Sequence, residues 1–238
     1  MKKVVFLGSP ENRFEYKNHT ELKKEATRYG INIGDDVTIE HDVTIGYDTT
    51  IIKNTNIGYG VNIGRDTNIG KNTTIEDWVN IGNKVNIKDC THIGEYADIK
   101  SCTNIGDNVV IGNYTTIGDW VNIGDNVNIG HKADIRYWTR IGNKAKISGN
   151  VIILATTNIK ENWQISKITH LINECAHHVS GFYIEDKAYI RMICQTKTIE
   201  EWDDDFLNND RFKKDSKQGK ARLKAYNKMK AIIQMEER

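Results

Sequence analysis

Proline is almost missing from this chain, with Pro10 the single one in 238 residues. Glycine is not scarce, at 19, and that pairing is odd for a loop-rich protein, because turns usually draw on both residues. Charge of one sign is missing too. Lysine plus arginine total 33 and aspartate plus glutamate 32, so no global field marks a nucleic-acid or membrane binder. The four cysteines, Cys90, Cys102, Cys175 and Cys194, form no CxxC pair and read as free thiols in a reducing compartment. No stretch approaches the roughly 18 apolar residues of a membrane span. The short apolar run in MKKVVFLGSP is too brief for a signal peptide, so a cytosolic protein is expected.

What the chain does have is a beat of six. Isoleucine occupies every sixth position from Ile33 to Ile159, 22 times without a miss. Glycine follows it in 13 of the 21 hexads beginning at Ile33 through Ile153, and the fifth position is Val, Thr or Ala throughout. Positions 5 and 1 are two apart, so their side chains share one side of a strand, and position 6 between them points the other way. Position 6 is mostly Asn, Thr or Asp, which suits solvent. Positions 2 to 4 make a corner, where Gly at position 2 and Asn or Asp at position 4 suit strained or left-handed backbone. Three strands and three corners close an 18-residue triangular coil. About seven such coils, stacked at strand spacing, give a prism roughly 34 Å tall.

The unit Ile-Gly-x-x-(Val/Thr/Ala)-x resembles the hexapeptide-repeat transferase superfamily. That resemblance implies a mainly β chain built on a single-stranded left-handed parallel β-helix, and a homotrimer of prisms side by side. Acyltransferases, γ-type carbonic anhydrases and non-catalytic proteins share the fold, so the fold alone chooses no chemistry. The expected organisation is an N-terminal strand-helix cap over 1–30, the β-helix over 31–159, and a C-terminal α+β extension over 160–238. In the cap, Lys3–Leu7 reads as a strand. A helix near Glu21–Tyr29 carries Asn18 as N-cap and an apolar stripe of Leu22, Ala26 and Tyr29, with Gly30 as its stop. In the extension, Val179–Ile184 and Ala188–Cys194 read as a hairpin around Glu185-Asp186. Thr198-Ile-Glu-Glu201 is a capping box with Ile199, Trp202 and Phe206 inward. A last helix runs from about Ser216 to Met235. Its basic residues suit a solvated face or the acidic Asp203-Asp204-Asp205 cluster better than a nucleic-acid arm. The segments Tyr189–Cys194 and Thr198–Trp202 are similar to the tails of phage-encoded proteins, and on that resemblance the protein works in a host cytoplasm.

Candidate site residues follow from chemistry. Ile39-Glu-His41-Asp42-Val-Thr-Ile45-Gly46 resembles the hexad that bears the general base in lipid A-type acyltransferases, and the resemblance implies His41 as base, with acetyl-CoA or an acyl carrier as donor. His131 shares the hexad position but precedes Lys132. A zinc site needs histidines that converge. His41 and His131 are five coils, about 24 Å, apart by strand spacing, His92 sits on a strand, and His177 and His178 face opposite ways, so no metal is expected. The outward column Thr50, Asn68, Asn86, Asn104, Asn122, Arg140 is not the threonine rank of an ice-binding face. Trp78, Tyr96 and Tyr114 share one corner column, and Trp120 and Trp138 another above Cys102. Arg136-Tyr137-Trp138-Thr139-Arg140 sets two guanidinium groups around two rings, which suits phosphates and nucleobases. The expected function is a non-enzymatic trimer that binds a small anionic, nucleotide-like ligand through Arg136, Tyr137, Trp138, Arg140 and Trp120, without a cofactor. The alternative is a coenzyme A- or acyl-carrier-dependent acyltransferase using His41, and a virion structural module is the third reading.

Overall fold

The computed structural model describes residues 3–153, 155–172, 179–184, 187–192, 195–208 and 217–236. The chain divides after Trp163 into two compact units, Met1–Trp163 and Gln164–Arg238.

The first unit is a left-handed parallel β-helix of about seven coils. Its 22 short strands, β3 to β24, run from Asn32–Ile33 to Asn158–Ile159, nearly all of them two residues long. They line up in three columns by steps of 18 residues. One face stacks Ile33 on Ile51 and Ile69, the second Ile39 on Ile57 and Ile75, and the third Ile45 on Ile63. These are called faces B, C and A. Corner 1 follows face B, corner 2 follows face C and corner 3 follows face A. Every isoleucine of the beat is buried, each contributing about 1.5–3 kcal/mol of gross transfer energy.

Backbone hydrogen bonds between coils, such as Asn62 N–H to the Val79 carbonyl at 2.9 Å and Gly64 N–H to Ile81 at 2.7 Å, close the ladders. Buried threonines at position 5 add to them. Thr55 donates its hydroxyl to the Gly70 carbonyl at 3.1 Å and Thr103 to Gly118 at 2.9 Å, so a buried polar group keeps a partner.

The corners divide their labour differently from the sequence expectation. Position 4 is left-handed in every coil: 21 non-glycine residues, from Asp36 to Asn162, have φ between 54° and 63°, and Gly60 has φ 64°. Glycine at position 2 is not left-handed, apart from its neighbours' demands. A Cβ at Gly112 would lie 2.5 Å from the His131 nitrogen and 2.7 Å from the Gly130 carbonyl carbon, so this glycine answers to close approach of the next coil. Position 3 is also more specific than an exposed polar corner. An Asn, Asp or Ser there accepts from the N–H of the same position one coil below, as Asn83 does from Arg65 at 3.0 Å and Asp119 from Ser101 at 2.9 Å.

The N-terminal cap closes the lower end. Strand β1 (Lys3–Gly8) pairs parallel with β5 (Val43–Gly46) and antiparallel with β2 (Arg13–Tyr16), a strand the sequence pattern did not announce. Helix α1 (His19–Ala26) is capped by Asn18, which accepts from the Glu21 N–H at 3.0 Å. A 3-10 turn, Thr27–Tyr29, continues it to Gly30 at φ 70°. Leu22 and Ala26 are fully buried, and Tyr29 leans on Tyr47 with ring centroids 5.9 Å apart.

The second unit is an antiparallel meander with two helices. Its strands are β25 (Gln164–Ile172), β26 (Val179–Ile184), β27 (Lys187–Met192) and β28 (Gln195–Thr198). The expected hairpin is β26 with β27. Its Glu185-Asp186 turn, like Cys175, His177, His178 and Cys194, lies outside the described residues. The capping box forms: Thr198 Oγ1 accepts from the Glu201 N–H at 3.2 Å, and Glu201 Oε2 from the Thr198 N–H at 2.8 Å. It opens α2 (Ile199–Asn208), whose Trp202 is buried and donates its indole N–H to the Ile190 carbonyl at 2.6 Å. Helix α3 (Lys217–Glu236) brings Lys230 to Asp203 at 2.6 Å, and the Tyr226 hydroxyl donates to the same carboxylate at 2.7 Å. The Asp203 carboxyl loses some solvation, but these two partners outweigh that loss and hold it below its usual range.

Candidate functional site

The prism is filled to its axis, so a site has to be built on its outside. Along corner 2 the position-2 column reads Glu40, Gly58, Glu76 and Gly94. Two long acidic side chains bracket Gly58, and together they line an open groove of about 340 Å³. Its floor is the outward positions of face C, Thr38, Asn56 and Thr74, and Asp77 and Glu95 close its corner side.

The lower end is tied to the cap. Lys3 Nζ lies 2.9 Å from Glu40 Oε1 and also donates to the Ile39 carbonyl at 3.0 Å. The Tyr16 hydroxyl donates to that carbonyl at 2.9 Å. Burial, helped by the charge of Glu40, pushes the Tyr16 phenol up to about 12.

An imidazole adjoins the upper end. His92 stands directly above Thr74 on the face C ladder, and its Nε2 lies 3.1 Å from Glu76 Oε1. The other oxygen of Glu76 accepts from the Glu95 N–H at 3.3 Å, so the carboxylate is fixed at both oxygens. The two side chains are 16 residues apart, one coil less two. That interval joins position 2 of one hexad to position 6 of the next coil. Within its own hexad His92 shows only an outward strand position, so this partner is invisible in the six-residue repeat.

His41 is half-buried at corner 2 of the first coil, next to Glu40 on the groove wall. Its carbonyl accepts from the Gly60 N–H at 3.1 Å. Its neighbour Asp42 is engaged by the Tyr59 hydroxyl, a hydrogen bond that raises the Tyr59 phenol. No hydrogen bond or ion pair holds the His41 ring among the described residues. His131 is exposed, with its Nε2 3.5 Å from Asn150 Nδ2.

The Arg-aromatic segment falls at corner 3 of the upper prism. Trp120 and Trp138 stack with centroids 5.6 Å apart and planes 18° apart, and Trp138 is 60% exposed. Arg136 opens the corner and pairs with Asp134 at 3.2 Å. Arg140 follows it on face B, above Asn122. The structure thus unites Trp120 with Trp138, but no cation–π contact joins Arg136 or Arg140 to the rings among the described residues. Corner 2 carries its own column, Trp78 on Tyr96 at 6.5 Å and Tyr96 on Tyr114 at 5.0 Å. No three His, Cys, Asp or Glu side chains converge for a metal ion among the described residues. No helix among them is long and apolar enough to cross a membrane.

Two family models match the middle of the prism. The bacterial transferase hexapeptide (six repeats) matches residues 102–136, and the hexapeptide repeat of succinyl-transferase matches residues 120–155. This prism has the fold of the hexapeptide-repeat transferases. Among solved structures, UDP-N-acetylglucosamine O-acyltransferase from Moraxella catarrhalis RH4 aligns at TM-score 0.54 with 21% identity, over 55% of this chain and 58% of that one. The likeness therefore spans little more than half of the Moraxella protein. UDP-N-acetylglucosamine acyltransferase from Campylobacter jejuni aligns at TM-score 0.42 with 20% identity, over 68% of this chain and 70% of that one. No curated protein sequence matches the chain.

Proposed function

We propose that this protein is an acyltransferase that moves an acyl group from a thioester donor to a hydroxyl or amine seated in the face C groove. The observation that carries the reading is the groove itself, a concavity on the flank of the prism whose lining carboxylate, Glu76, contacts an imidazole. The transferase repeat models and the acyltransferase with the same fold support it. Acyl transfer asks the protein for a seat for the acceptor, a group to take its proton and a donor held close by. The groove supplies the first, and a histidine next to it the second; His41 and His92 both adjoin lining residues, Glu40 and Glu76. The donor's thiol carrier is coenzyme A or an acyl carrier, and a trimer of side-by-side prisms is part of the same proposal.

A second reading keeps one observation of its own. The Trp120–Trp138 stack at corner 3 is open to solvent beside Arg136 and Arg140, an arrangement suited to an adenine nucleotide. It fits a phage-encoded trimer that sequesters a nucleotide, and equally the adenosine phosphates of coenzyme A. Arg136 is partly satisfied by Asp134, which weakens both uses alike. The test is thiol release by the full chain from acetyl-CoA and octanoyl-CoA, with UDP-N-acetylglucosamine and glucosamine as acceptor probes. Acceptor-dependent release of the free thiol is the expected result. Tight nucleotide binding with no thiol release from any pair would overturn the transferase reading in favour of the second.

A further inference from the structure

We infer that His92 is the catalytic base of this groove and that Glu76 is its positioning residue. The inference rests on the acyltransferase reading and changes which histidine does the work. A general base needs a fixed ring, the right nitrogen free, and a place for the acceptor beside it. His92 meets these conditions. Its Nε2 is committed to Glu76 at 3.1 Å, which leaves Nδ1 to take a proton, and no hydrogen bond occupies Nδ1 among the described residues. Glu76 cannot swing away easily, because its second oxygen is held by the Glu95 N–H. Glu76 lines the groove, and His92 adjoins it through its contact with Glu76 and its place above Thr74 on the ladder. The ring is 40% exposed at its side chain, so an acceptor can reach it.

His41 lacks each of these supports. Its ring has no orienting carboxylate among the described residues, since Asp42 is taken by Tyr59. It also lies about three coils, or about 14 Å by strand spacing, below His92. The two rings cannot serve the same reacting atom.

The step balances without any further reagent. The acceptor oxygen or nitrogen attacks the thioester carbonyl carbon while His92 Nδ1 takes the acceptor's proton. The C–O or C–N bond forms, the tetrahedral intermediate collapses, and the C–S bond breaks. The leaving thiolate then recovers the proton from the imidazolium, whose charge Glu76 stabilises throughout.

Thiol release by the full chain is measured for His92→Asn, Glu76→Gln and His41→Asn, with the donor and acceptor probes named above. His92→Asn is expected to lose about 10²–10⁴-fold in kcat, the usual worth of a positioned general base. Glu76→Gln is expected to lower kcat with KM for the acceptor nearly unchanged, because Gln keeps the shape and one hydrogen bond but not the charge. Both side chains are solvent-accessible, so melting temperatures should stay at the wild-type value, which separates these effects from misfolding. His41→Asn should retain most activity. Activity lost in His41→Asn and kept in His92→Asn would overturn the inference and leave the acyltransferase standing. A wild-type chain that releases no thiol with any pair would overturn both.

Discussion

Corners 1 and 2 of the prism share one backbone and use it for different ends. Both are left-handed at position 4 in every coil. Corner 1 fills that position with Asn54, Asn72, Asn108 and Asn126, residues that adopt such backbone at little cost. Its position 3 is an unbroken capping ladder: Lys71 N–H to Asp89 at 3.0 Å, Asp89 N–H to Asp107 at 2.9 Å, Asp107 N–H to Asp125 and Asp125 N–H to Asn143, both at 2.9 Å. Corner 2 departs from both habits. Trp78, Tyr96 and Tyr114 take the left-handed position, and position 3 holds His41, Tyr59 and Glu95, although Asp77 between them still caps the Tyr59 N–H at 2.8 Å. The comparison teaches that the isoleucine interior carries the fold and leaves the corners free to vary. Where corner 2 varies these two habits, a groove and an imidazole–carboxylate pair lie beside it.

The largest effect expected is therefore indifferent to the corner. Ile111→Ala in the middle of face C and Ile57→Ala beneath the groove should each cost about 2–5 kcal/mol, the range for a buried isoleucine that leaves a cavity. Both side chains are at most 1% exposed. Val110→Ala, on the outward side of the same strand and 40% exposed, should stay within about 0.5 kcal/mol. Urea midpoints measure all three. If Ile57→Ala cost well under half of Ile111→Ala, the groove would reach into the core, and interior and corner would not be independent.

The lower end of corner 2 gives the next effect, and pH reveals it. The Tyr16 phenol sits at about 12 in the folded chain against an ordinary value near 10. Below pH 10 both folded and unfolded chains keep the proton, and the Tyr16 contribution is intact. As pH rises from about 10 to 12 the unfolded chain ionises first, so stability falls, by about 2–3 kcal/mol at the upper end. Tyr16→Phe should remove the Tyr16 share of the alkaline loss, leaving that of the raised Tyr226 phenol, and cost about 1 kcal/mol at neutral pH for the lost bond to the Ile39 carbonyl. Urea unfolding of both chains at pH 8 and pH 11 checks the point. Parallel losses in the two chains would show that Tyr16 does not couple the cap to corner 2.

The prism was legible in the sequence because burial repeats: each isoleucine meets the one 18 residues on, so the pattern is its own evidence. Faces, columns and ring stacks such as Trp120 on Trp138 follow from counting. Position-2 glycines were misjudged because close approach and positive φ ask for the same residue, and only the neighbouring coil tells them apart. The groove was not legible. It depends on Glu40 and Glu76 standing in one column two coils apart and on a partnership from Glu76 to His92 across coils, neither of which any single hexad displays. Strands β2 and β28 were missed for a plainer reason. Arg13–Tyr16 and Gln195–Thr198 are four residues each, too short for alternation to stand out. Of the Arg-aromatic segment, the rings were placed correctly by register, whereas Asp134 claimed Arg136 from a neighbouring position the motif did not include.

The smallest effect tests the corners against each other directly. Asn108 at corner 1 has φ 55°, and Tyr114 at corner 2 has φ 59°. Asn108→Ala places a residue without a short polar side chain in left-handed backbone and should cost about 1–2 kcal/mol. Tyr114→Asn does the reverse. It gives up a stacked pair worth about 0.5–1.5 kcal/mol but recovers the easier backbone, so the net change should lie within about 1 kcal/mol of zero. Tyr114 is 54% exposed, so little buried area is lost with the ring. A shift in the urea midpoint for Tyr114→Asn as large as that for an interior isoleucine would make the aromatic column a structural spine. A small shift leaves corner 2 as surface that the prism does not need for folding and that is free for binding.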